Sequence, residues 1–198
     1  MKLDDSYLIE LIESISQGED VKLTSIPEIE LYMDQVTTFI DSKLSHLKRD
    51  KNDKLLTKTM INNYTKSKIL LPSKNKKYNK QHIILLILIY YLKQVLSIND
   101  INSLFTPLFK HIADTDNPEI LDDLYSAFLS LKQSNTDKLE KRFTEGMELI
   151  REQISGYEGT EQEMAEKLLL VIQLVAHANA QKRLAEKIID EFFQTPAK

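Results

Sequence analysis

The chain has 198 residues, 42% of them apolar and 28% charged, which suits one or two soluble domains with a buried core. Cysteine is absent, which excludes disulfides and thiolate metal sites and makes a reducing cytoplasm the expected setting. The net charge of −4 hides an asymmetry: Lys43 to His82 carries twelve Lys or Arg against two Asp, while the rest carries fourteen against twenty-eight acids, which reads either as a solvated lysine-rich surface or as one face with a polyanionic partner.

The N-terminus "MKLDDSYLIELIESIS" has acids where a secretory signal would be basic. Leu8, Leu11, Ile12 and Ile15 predict an amphipathic helix from about Ser6 to Ser16, broken by "QGED". A second helix is expected after Ile26-Pro27, with Ile29, Met33, Val36, Ile40, Leu44 and Leu47 as its buried stripe. "KRDKND", residues 48–53, has no apolar residue and reads as a loop. A short helix from Leu56 to about Lys66 follows, with Thr57 as a cap. Leu56, Met60 and Tyr64 form its inner face, and Thr59, Asn62, Asn63 and Lys66 its outer one.

"ILLPSKNKKYN" then combines apolar residues, a proline and a basic tip, compatible with a small β-hairpin, or wing. Asn79 caps the next expected helix, Lys80 to Leu96, whose run "IILLILIYYL" is too short for the ~20 residues of a membrane span and reads as core. Ser97 and Asp100 form a capping-box signature. Thr106-Pro107 and Asn117-Pro118 each predict a further helix start. Helices over about 118–133 and 137–155 come next. A break at Gly156 and Gly159 precedes a long last helix, opened by a Thr160/Glu163 capping box and reaching Phe193. Met164, Leu168, Val171, Val175, Ala178, Lys182, Ala185, Ile189 and Phe192 keep a 4-3 rhythm, a coiled-coil-like seam within one chain or across a dimer. Gln173 and His177, one turn apart in an apolar run, read as a buried polar contact, a dimer register device or an effector pocket. Lys182 either sets register or extends its stem to solvent.

The order of elements from Leu55 to Phe105 resembles the DNA-binding domain of the MerR family of bacterial transcription regulators. "MINNY" stands where that family has its recognition helix, "KILLP" at the step that follows, "KKYN" at the end of the wing, and "VLSINDINSLF" at the closing turn and helix. The wing lacks the glycine and arginine common in that family, and the preceding helix is longer. The wider stretch from Ile26 to Ile101 also looks like an uncharacterised domain family of Gram-positive bacteria.

The resemblance implies an all-α fold with a small β wing: an N-terminal helix (1–25), a MerR-like winged helix-turn-helix domain (26–106), and a C-terminal helical dimerisation or effector region (107–198). It implies a sequence-specific regulator that binds double-stranded DNA as a homodimer through its C-terminal helices. Asn62 and Asn63 suit bidentate contact with adenine, and Thr59 a thymine methyl or a phosphate. Lys58, Lys66, Lys74, Lys76, Lys77 and Lys80 suit phosphates, and Tyr78 either bonds a phosphate or packs beneath the wing. The other reading is a helical interaction module whose basic patch docks an acidic protein or RNA.

No enzyme, cofactor or metal is expected. His46, His82, His111 and His177 lack metal-site spacing, and no glycine-rich phosphate loop is present. "DTDNPEILDDL" starts like a calcium loop, but Pro118 and Glu119 replace a ligand and the turn glycine.

Overall fold

Thr57 illustrates how local chemistry sets the elements. Its extended backbone and its Oγ1, which accepts from the Met60 N–H at 3.2 Å, start a helix where the sequence has a capping residue. The computed structural model describes residues 5–16 and 20–194. Its elements are α1 (Asp5–Ser16), β1 (Leu31–Tyr32), α2 (Met33–Leu44), α3 (Lys58–Lys66), β2 (Lys77–Tyr78), α4 (Lys80–Leu92), α5 (Ile98–Thr115), α6 (Ile120–Asp137), α7 (Leu139–Gln153) and α8 (Gly159–Phe192). Helix at 73% against strand at 3% places the protein in the all-α class with one small sheet. Among the described residues no helix is long and apolar enough to cross a membrane. Most of the expected "QGED" break, residues 17–19, lies outside the described residues.

Two compact units form among the described residues, one from residues 20–129 with 184–194, the other from 5–16 with 130–183. In the first, α4 is the central helix. Ile83 to Ile87 and Ile89 are at most 1% exposed, as a helix that is apolar all round requires. α2 supplies Val36, Ile40 and Leu44, α3 supplies Ile61 and Tyr64, and α5 supplies Ile101 and Phe105 to the same core. Burying each large aliphatic side chain fully contributes roughly 1.5–3 kcal/mol. The Tyr125 hydroxyl of α6 donates to the Val21 carbonyl at 2.7 Å. In the second unit, Leu8 and Ile12 of α1 meet Met147 and Ile150 of α7 and Leu170 of α8.

Four elements depart from expectation. α2 starts at Met33, not after Pro27, because Leu31 and Tyr32 pair antiparallel with Tyr78 and Lys77, and Gln35 Oε1 accepts the Tyr32 N–H at 2.8 Å as a cap. Ile29 is therefore 71% exposed. α4 ends at Leu92, and turns carry the chain to Leu96. α5 runs straight through Pro107, so the boundary drawn at 106 falls inside a helix. Proline there forfeits one ladder bond. The Thr106 hydroxyl donates back to the Asn102 carbonyl at 2.7 Å rather than capping forward, and the apolar stripe continues through Phe105 and Phe109. α8 begins at Gly159, with φ +59°, so Thr160 stands inside its first turn. The Ser97/Asp100 box forms as expected, with Asp100 N–H on Ser97 Oγ at 3.1 Å and Ser97 N–H on Asp100 Oδ2 at 3.0 Å.

Candidate nucleic-acid interface

α3 is fastened at both ends. Beyond Thr57 at its start, its last turn closes in a Schellman motif: Lys68 N–H reaches the Thr65 carbonyl at 3.1 Å and Ile69 N–H the Tyr64 carbonyl at 3.0 Å. Lys68 fills the left-handed position, φ 59°, that glycine usually takes. From α5, Asn102 Nδ2 donates to the Ser67 carbonyl at 3.0 Å. Leu56, Ile61 and Tyr64 are buried beneath, and burial raises the Tyr64 hydroxyl pKa. This leaves Thr59, Asn62, Asn63 and Lys66, spaced by three and four along one helical face, all exposed.

The wing turns tightly at Asn75 and Lys76, with φ 53° and 60°, where Lys77 N–H bonds the Lys74 carbonyl at 2.9 Å. Positive φ at both central residues is the turn that matches strand twist in a two-residue hairpin. Lys74 and Lys76 are exposed at its tip. The return strand pairs with β1 rather than extending a long hairpin, so the wing is anchored to the segment that leads into α2. Lys77 Nζ sits 5.7 Å from the centre of the Tyr32 ring, and Lys58 pairs with Asp34. The start of α3 and the wing's return strand thus meet on the same short segment.

Two of the expected contacts are placed elsewhere. Tyr78 is 4% exposed, with its ring edge-on to His82 at 5.5 Å, so it packs beneath the wing. Lys80 is held between Glu28 Oε1 at 2.8 Å and Asp122 Oδ2 at 2.9 Å, and these two hydrogen bonds raise its pKa. It is engaged with carboxylates of its own chain.

His82 clasps the base of the wing. Its Nδ1 lies 3.3 Å from the Asn79 backbone nitrogen and 2.5 Å from Asn79 Oδ1, and its Nε2 lies 3.4 Å from the Pro72 carbonyl oxygen. Burial lowers its pKa, and backbone hydrogen bonds at Pro72 and Leu71 and the Glu30 charge only partly oppose this.

Sequence reasoning missed the acids facing these lysines. Glu28 pairs with Lys80, Glu30 lies 4.0 Å from Lys77, and Asp34 pairs with Lys58. The alternation of Glu28, Glu30 and Tyr32 is an extended-chain signal that the helical reading of this segment absorbed. Lys66, Lys68, Lys74 and Lys76 make no ion pair among the described residues. Lys68 was not among the expected contacts and joins the exposed set.

A family model described as Domain of unknown function (DUF1836) matches residues 21–128. No curated protein and no solved structure matches the chain.

Proposed function

The chain belongs to the DUF1836 family, and from that premise we propose that it is a sequence-specific regulator that binds double-stranded DNA with a MerR-like winged helix-turn-helix arrangement. The observation that carries this reading is the outer face of α3. Thr59, Asn62, Asn63 and Lys66 stand exposed on one side of a helix fixed at both ends, next to a turn that presents Lys74 and Lys76. A helix of this diameter fits the major groove, asparagine amides match adenine edges, and the lysines release counterions from phosphates.

The regulator acts as a homodimer through α8. Met164, Leu168, Val171 and Val175 recur on one face of that helix and are each more than half exposed. A stripe of this kind is covered in coiled-coil pairs. Two copies would present two α3 helices to two half-sites.

A second reading has its own support. Lys58 and Lys77 of this surface already face carboxylates from residues 34 and 30, so an acidic protein segment suits it chemically. Sequencing of genomic fragments retained by the purified chain at physiological salt separates the two. A DNA regulator enriches a defined sequence and loses it when Asn62 and Asn63 become alanine. Retention without any enriched sequence rejects that reading.

A further inference from the structure

α7 and α8 enclose an open groove of about 510 Å³ that the DNA-binding reading does not use. Its floor is apolar, from Phe143 and Leu149 of α7 and Leu170 and Leu174 of α8. That volume lies within the range of small-molecule sites, and an apolar floor with a few polar groups at its edge is their usual construction.

The polar groups here are donors without partners. Arg142 makes no ion pair among the described residues, and Glu145, which also lines the groove, lies 3.8 Å from Lys141. Gln173 is half-buried, makes no hydrogen bond among the described residues, and lines the groove opposite Gly146. His177 lies one turn further along α8. Arg142 and Gln173 line the same groove, and a guanidinium and an amide can both donate to one carboxylate. Met164, Leu168 and Val171 belong to the neighbouring face of α8, set by the 3.6-residue helical period, and Ala178 is the seam residue at the groove's edge.

We propose that this groove binds a small apolar carboxylic acid. Its carboxylate sits on Arg142 and Gln173, and its hydrocarbon part lies along Phe143, Leu170 and Leu174. The recognition chemistry is a charge-assisted hydrogen bond at one end and burial of apolar surface along the rest.

The test is calorimetric titration of the full chain with octanoate, octanol and octylamine. Octanoate is expected to saturate one site and to bind about tenfold tighter than octanol. Arg142→Gln, at an exposed position, should bring octanoate down to the level of octanol and leave octanol unchanged. Gly146→Leu should block both, since a side chain there points at Gln173 across an ordinary 3.5 Å contact and fills the space. Equal affinity for octanoate and octanol, a preference that survives Arg142→Gln, or no saturable uptake overturns the proposal. So does a Gly146→Leu chain that turns from dimer to monomer in sedimentation, because the groove would then hold a second copy.

Discussion

Lys80 Nζ lies 2.9 Å from Asp122 Oδ2, while Asp122 Oδ1 is buried with no hydrogen-bond partner. A lysine at the mouth of a basic segment is thereby tied to the first turn of α6, and its charge is consumed inside the protein. Lys80→Ala is expected to destabilise the fold by about 1–3 kcal/mol, because it leaves a covered carboxylate without its cation. The double change Lys80→Met with Asp122→Leu should recover most of that loss. Urea unfolding of the three variants measures both. DNA affinity of Lys80→Ala, assayed where the protein stays folded, should match the parent.

With Lys80 removed from the set, Lys58, Lys66, Lys74, Lys76 and Lys77 remain as phosphate contacts. Log affinity for duplex DNA should then fall with log salt at a slope of roughly −4 to −5. Fluorescence anisotropy across a salt series reads it directly. A slope near zero would leave the basic face without a polyanion to explain.

Asp34 competes with phosphate for Lys58. Asp34→Asn should tighten DNA binding several-fold at low salt and change thermal stability little, since an exposed ion pair contributes about 0.2–1 kcal/mol. Unchanged or weaker binding would place Lys58 outside the interface.

Asn62→Ala and Asn63→Ala should each leave the melting temperature nearly unchanged, as exposed substitutions do. Each bidentate amide–adenine pair lost should cost about 1–3 kcal/mol of discrimination between sites while non-specific affinity persists. Competition between the selected sequence and a scrambled duplex separates the two effects.

Burial holds the His82 pKa below that of the unfolded chain. The neutral ring therefore contributes stability that is fully present above about pH 6.5 and is lost as pH falls below that value. Melting temperature should drop from about pH 7.5 to about pH 5 more steeply in the parent than in His82→Gln. Glutamine keeps the acceptor for the Asn79 N–H, so the helix cap survives the change. Equal pH slopes in the two proteins would show that His82 is not the titrating group.

What could be read from the sequence was what depends on neighbours in the chain. The caps at Thr57, Asn79 and Ser97, the burial of Leu56 and Tyr64 and that of Ile83–Ile87 all follow from spacing and side-chain chemistry within one or two turns, whereas Ile61, fully buried where Met60 was expected, does not. The misplaced start of α2 and the fates of Tyr78 and Lys80 share a different origin. Each depends on a partner some fifty residues or less from it across the fold: Leu31 against Tyr78, Glu28 against Lys80, Asp122 against Lys80. Residue periodicity carries no information about such pairings. Pro107 shows the same limit from the other side, since packing of Phe105 and Phe109 outweighs a local breaker.

The turn at Asn75–Lys76 is one substitution away from Asn-Gly, the pair such hairpins favour. Lysine in left-handed backbone costs roughly 1 kcal/mol where glycine costs nothing. The chain thus trades local comfort for a cation at the outermost point of the wing. Exchange of Lys76 for glycine should accordingly give a more heat-resistant protein with a poorer grip on any anionic ligand seated there.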